Sequence, residues 1–171
     1  MVDMIKDSIA RGIVSFEKNI LQERCNDLKI KVYEYKYYFS KLNSTASYFK
    51  ANMELLDPEN AKQIFIPKRS IYTKVSDNAP AKYDLDCIVT NSLVADGCII
   101  EGEVENCVLF RGVKIGKGAK IKNCILGQGT VVGEGAQMNY VITDKDVTVA
   151  PKHVLTSSES YQMYVAKGAT V

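Results

Sequence analysis

The sequence predicts a mainly β fold, a parallel solenoid of hexapeptide coils over residues 85–171, and three observations carry that prediction. Aliphatic residues recur at Val89, Val94, Ile100, Val104, Leu109, Ile115, Ile121, Leu126, Val132, Met138 and Val149, with Thr143 alone breaking the apolar series. Their spacing sums to a 17-residue unit that sets Val104, Ile121 and Met138 in one register and Ile115, Val132 and Val149 in another; the first unit is two residues shorter. Four positions after an inward residue stand Cys98, Val113, Ala119, Thr130, Ala136 and Val147, all small enough for a crowded corner. A period near six is neither helical nor the alternation of a half-buried strand. Three hexads, each with one inward side chain, close one coil, and the next coil stacks on it. A β-sandwich is the competing architecture, but its strands alternate with period two and need no such register.

Details of the repeat follow the same logic. Gly116 and Gly133 come directly after inward residues, where the backbone is expected to turn. Asn91, Asn106 and Asn123 occupy one place in successive coils, so their amides are expected to bond along the stack, as side-chain ladders do in cross-β arrays. The aliphatic column is core and carries no chemistry.

Composition bounds the rest. A chain of 171 residues with 46% hydrophobic and 25% charged residues reads as globular, large enough for one domain with an appendage. Its net charge of +2 gives no broad basic surface, so no nucleic-acid partner is expected. No apolar run reaches membrane-spanning length and Met1–Arg11 has no cleavable leader pattern, so no membrane partner is expected and the cytoplasm is the expected compartment. The five cysteines, Cys25, Cys87, Cys98, Cys107 and Cys124, form no CxxC and read as small apolar side chains in a reducing compartment. No metal site is expected, since the single histidine, His153, lies beyond the last full coil on this reading.

Residues 1–57 have another character. Val2, Ile5 and Ile9 followed by Gly12 suit a short helix with a glycine C-cap, and Phe16–Cys25 a second one. Alternation around Ile30, Val32, Tyr33 and Tyr35 predicts a strand over Leu28–Phe39, whose aromatics, with Tyr48 and Phe49, are expected to pack as core. Asn43, Ser44 and Thr45 form an N-cap cluster leading into a helix that Pro58 ends. One strand with helices cannot close a sheet, so this α/β piece either packs on the solenoid or belongs to something larger, with apolar surface left exposed. Residues 58–84 read as a connector, with no low-complexity tether.

Several segments together resemble bacterial glucose-1-phosphate adenylyltransferase: the tyrosine-rich strand, TASYFKANMELL (Thr45–Leu56), IYTKVSDNAPAKY (Ile71–Tyr83), NSLVADGCIIEG (Asn91–Gly102) and VENCVLFRGVKIG (Val104–Gly116). The resemblance covers nearly the whole chain, and the SYFKAN helix with VLFRGV is its most specific part. It implies a left-handed β-helix with a C-terminal cap, preceded by the small α/β end of a nucleotidyltransferase domain, in a protein that oligomerises and is under allosteric control. It also implies a C-terminal piece, because the family's glycine-rich nucleotide loop has no counterpart here.

Catalytic members of that family carry a motif like YWKDVGT before this helix, and its aspartate serves the metal site. The matching stretch is Tyr38–Ser44, with Lys41 at the aspartate position and Asn43 at the glycine position. A protonated lysine cannot ligate Mg²⁺, on which phosphoryl transfer depends. The resemblance is therefore to the regulatory-type subunit, without catalytic residues, metal or cofactor of its own and inactive alone, beside a catalytic partner subunit that uses Mg²⁺ and ATP to make ADP-glucose in glycogen synthesis. Two other readings stand beside it: part of a catalytic subunit, which Lys41 opposes, and a hexapeptide acyltransferase, which needs a histidine base between coils. Arg111, on a corner of the second coil, and Lys114 are the candidate contacts for an anionic effector or a partner in a homo- or hetero-oligomer. Lys114, Lys117, Lys120 and Lys122 are expected to make one edge basic, and Ser157–Tyr164 to cap the open end.

Overall fold

A computed structural model describes residues 2–13, 15–75 and 77–171. The chain divides into two compact units, Met1–Lys36 and Tyr37–Val171.

In the first unit, α1 (Val2–Ala10) ends where expected: Gly12 adopts φ +67°, the left-handed conformation a glycine takes at a helix end, and the Ile13 amide donates back to the Ser8 carbonyl. Phe16–Gln22 forms a π-helical segment, capped by the Ser15 hydroxyl, which accepts from the Lys18 amide. The strand expected over Leu28–Phe39 does not form, and the N-terminal segment is helical rather than α/β. A strand is stable only with a neighbour to take its amides and carbonyls, and the unit has no other strand among its described residues. Most of its side chains are exposed instead of packed as core, Val32 to 95% and Tyr33 to 84%, while Leu28 and Tyr38 are half-buried.

Among the described residues of the second unit, fifteen short strands wind into three parallel sheets, each five strands deep. The first sheet stacks β1 (Lys82–Tyr83), β4 (Ile99–Ile100), β7 (Lys114–Ile115), β10 (Val131–Val132) and β13 (Thr148–Val149). The second stacks β2 (Ile88–Thr90), β5 (Glu103–Glu105), β8 (Lys120–Lys122), β11 (Gln137–Asn139) and β14 (Val154–Thr156). The third stacks β3 (Leu93–Val94), β6 (Val108–Leu109), β9 (Ile125–Leu126), β12 (Val141–Thr143) and β15 (Met163–Val165). Register follows the repeat, with Val104 against Ile121 and Ile121 against Met138. The inward column from Ile100 to Val149 is buried, and so is every small corner residue from Cys98 to Val147. Thr143 fits this core because its hydroxyl lies 2.9 Å from that of Thr130 and accepts from the Gly127 amide, so neither buried hydroxyl is left unpaired.

Gly116 and Gly133 are required for a reason other than turning. A Cβ on Gly133 would stand 2.5 Å from the Pro151 nitrogen, and one on Gly116 2.8 Å from the Glu134 nitrogen, so the next coil passes too close for any side chain. The amide ladder forms as expected and runs one rung further: Asn91 donates to Asn106 at 2.7 Å, Asn106 to Asn123 at 3.3 Å, and Asn123 to Asn139 at 3.0 Å. Asn91, Asn106 and Asn123 also hold positive φ, a conformation asparagine tolerates better than most residues.

Pro58 does not merely stop a helix. It opens a second one, α3 (Pro58–Ile64), capped by Asp57, after α2 (Thr45–Glu54) has ended at Leu55. The Ser157–Tyr164 stretch is not the cap; its end enters β15, while residues 169–171 bond back to β13. His153 accordingly sits within the last layer, between β13 and β14, and not beyond the coils.

The lysines do not share one basic edge. Lys114 lies on the first sheet, whereas Lys120 and Lys122 lie on the second, paired with Glu103 at 3.2 Å and Glu105 at 2.6 Å. Cys98, Cys107 and Cys124 are buried, and burial pushes the Cys124 thiol well above its usual range. Thiol labelling of the native chain is therefore expected to modify Cys25 first and Cys87 more slowly, with the three core thiols reacting only after unfolding; mass spectrometry of a labelling time course checks this.

Candidate functional site

The site is built where α2 lies on the third sheet. That sheet carries a second apolar column, Val108, Ile125 and Ile142, one residue before its inward column and in the same 17-residue register. Ile125 and Ile142 are buried because Phe49 packs on them, with Tyr48, Met53 and Tyr140 around the cluster; the Phe49 and Tyr140 rings are 6.0 Å apart. The helix begins in a capping box: the Ser44 hydroxyl accepts from the Ser47 amide while the Ser47 hydroxyl bonds the Ser44 amide. At its other end Glu54 accepts from the Tyr38 hydroxyl at 2.8 Å, and the Asn60 side chain donates to the Glu54 carbonyl, which ties α2 to α3. Burial and the Glu54 carboxylate push the Tyr38 hydroxyl pKa up.

Between α2 and the amide ladder opens a groove of about 930 Å³. One wall is the helix face of Ala46, Phe49, Lys50, Met53 and Glu54, residues three and four apart that the helical period brings to one side. The other wall is Asn91, Asn106, Asn123 and Tyr140; Leu56, Asp57, Pro58, Glu159 and Gln162 complete the lining. Lys50 stands 3.8 Å from Glu54, and Asp57 accepts from the Glu59 amide as the cap of α3. A smaller cleft holds Thr45, Tyr48, Ile142, Thr143, Asp144 and Tyr164, where the Lys145 amide and then the Tyr164 hydroxyl, at 3.0 Å, hold the Asp144 carboxyl below its usual range.

None of the four residues singled out in the sequence lines this groove. Arg111 lies between β6 and β7 and donates to the Lys74 carbonyl at 2.8 Å, fastening the connector to the solenoid. Lys114 is exposed on β7. Lys41 and Asn43 lie in the exposed run before α2, where the Asn43 amide bonds the Ser47 hydroxyl. Sequence reasoning placed the ladder but not the groove, although the column at Val108, Ile125 and Ile142 signals a face that needs covering. Among the described residues no group of three or more histidine, cysteine or acidic side chains is placed to hold a metal ion, and no helix is long and apolar enough to cross a membrane.

Comparison with known proteins shows what this chain is similar to. A family described as GlmU-like, C-terminal hexapeptide, matches residues 78–162. The chain is 45% identical over 166 residues to the glycogen biosynthesis protein GlgD of Bacillus subtilis, covering 97% of this chain and 48% of that protein. It is 55% identical over 71 residues to GlgD of Geobacillus stearothermophilus, covering 42% of this chain and 21% of that protein. It is also 36% identical over 107 residues to the glucose-1-phosphate adenylyltransferase of Fusobacterium nucleatum, covering 62% of this chain and 28% of that protein. The chain thus spans at most about half the length of these relatives. A five-layered hexapeptide solenoid with α2 laid on it, aligned along 97% of its length with GlgD of Bacillus subtilis, makes this chain similar to GlgD and, over a shorter stretch, to the glucose-1-phosphate adenylyltransferases.

Proposed function

We propose that this chain is the regulatory and oligomerisation portion of a glucose-1-phosphate adenylyltransferase-type subunit in glycogen biosynthesis, acting on a catalytic partner subunit that forms ADP-glucose from ATP and glucose 1-phosphate. The observation that carries the reading is the 45% identity to GlgD along 166 residues. Lys41 supports it, because lysine replaces the metal-binding carboxylate of the catalytic type; in this reading Mg²⁺ and ATP belong to the partner. Residues 1–57 then close a nucleotidyltransferase-type domain, 58–84 connect, and 85–171 regulate. The exposed Val32, Tyr33 and Phe39 are the surface such a domain or partner covers. Regulation of this kind requires the solenoid to contact the partner's active conformation better than its inactive one. Arg111 and Lys114 are the contacts proposed for an anionic effector or a partner carboxylate. The acyltransferase alternative gains nothing from the position of His153, since its exposed ring makes no hydrogen bond among the described residues and a catalytic base needs an orienting partner.

Sedimentation of the chain alone and mixed with the catalytic subunit, with ADP-glucose synthesis assayed on both samples, tests the proposal. A heteromeric complex with altered synthesis, and no synthesis by the chain alone, is expected. Synthesis by the chain alone, or failure to form any complex, overturns it.

A further inference from the structure

The groove beside the amide ladder has a chemistry of its own. Each Nδ2 of Asn91, Asn106 and Asn123 gives one hydrogen to the next rung, which leaves each a second N–H outside the ladder. Gln162, only 8% exposed, lines the same groove; its Nε2 donates to the Glu159 carbonyl, so its Oε1 remains as an acceptor. The rungs repeat at the strand spacing of about 4.8 Å, comparable to the length of one pyranose ring. The lining carries three carboxylates, Glu54, Asp57 and Glu159, against one lysine, Lys50, which already faces Glu54. That balance repels phosphorylated ligands, whereas carboxylates accept from hydroxyls and amides both give to and take from them. Met53, Pro58 and Tyr140 add apolar surface for the C–H faces of a sugar.

We propose that this groove binds a neutral oligosaccharide, a short glucan chain laid along the ladder. The choice of glucan rests on the glycogen-biosynthesis reading above; the neutrality and polyhydroxyl character rest on the groove itself.

The test is a titration of the isotopically labelled 171-residue chain with maltoheptaose, following the side-chain amide resonances of Asn91, Asn106, Asn123 and Gln162, with glucose 1-phosphate titrated in parallel. Saturable shifts with maltoheptaose at roughly millimolar concentration, weaker than most specific complexes, and none of comparable size with the phosphate ester, are expected. Ala46→Trp, on the exposed helix face at the groove, is expected to weaken binding about tenfold, a loss of about 1.4 kcal/mol, while its backbone amide spectrum stays dispersed. No shift with maltoheptaose, stronger shifts with the phosphate ester, or binding unchanged in the dispersed Ala46→Trp variant each overturns the proposal. A chain that binds the catalytic subunit but not maltoheptaose defeats this inference alone; one that binds maltoheptaose but not the subunit defeats the functional reading alone.

Discussion

Ile121→Ala is expected to lower the stability of the solenoid by about 2–5 kcal/mol. Ile121 is fully buried in the middle strand of the second sheet, with Val104 beneath it and Met138 above, so the vacated volume is enclosed on both sides by layers whose spacing is fixed by backbone hydrogen bonds. The stack cannot collapse into the cavity, which puts the cost toward the upper part of that range. Ile121→Val, which removes a single methylene, should cost about 0.5–1.5 kcal/mol. The adjacent Lys122→Ala should leave the midpoint unchanged, because its ion pair with Glu105 joins two half-exposed side chains in solvent. Urea denaturation followed by far-ultraviolet circular dichroism separates the three. Equal midpoints for Ile121→Ala and Lys122→Ala would contradict the assignment of this column as the core.

The second large effect is expected at the ladder. Asn106 is an interior rung, accepting from Asn91 and donating to Asn123, and it holds φ 52°. Asn106→Ala removes two side-chain bonds, at about 1 kcal/mol each, and adds roughly 1 kcal/mol for placing a Cβ without a compensating polar group in the left-handed region. Asn106→Gly loses the same two bonds but relieves the backbone, so it should sit about 1 kcal/mol above the alanine variant. Glycine is ordinarily the less stable of the two replacements, so the inverted order is a signature of the left-handed rung. If alanine proves the more stable, the contribution assigned to the backbone is wrong.

The parts of this fold legible in the sequence are those set by local repetition. An inward residue every four to six positions, small residues at two corners of a coil and an asparagine once per coil follow from geometry that the coils repeat. The tyrosine-rich stretch misled because alternation at Ile30, Val32 and Tyr35 states only that a segment could join a sheet; joining needs a neighbour, and none lies among the described residues of that unit. The helix at Pro58 was missed although its signals were present, since Asp57, Pro58 and Glu59 form a cap, a first-turn proline and a first-turn acid. The groove was harder to see. It depends on where α2 rests, which is a long-range contact between residues such as Phe49 and Ile142 that no local period encodes.

A stack of identical coils has no natural length, because each layer meets only its neighbours and another could always be added. Here α2 supplies a measure. Its ten residues extend about 15 Å, close to the height of three strands at about 4.8 Å each, and the buried or half-buried outward column of Val108, Ile125 and Ile142 occupies three successive layers. Inserting one more 17-residue coil between them would preserve every backbone bond of the stack yet leave a layer of that apolar column uncovered. The helix thus acts as a local ruler: it sets how many coils lie between the layers of Val108 and Ile142, a number that the repeat itself leaves free.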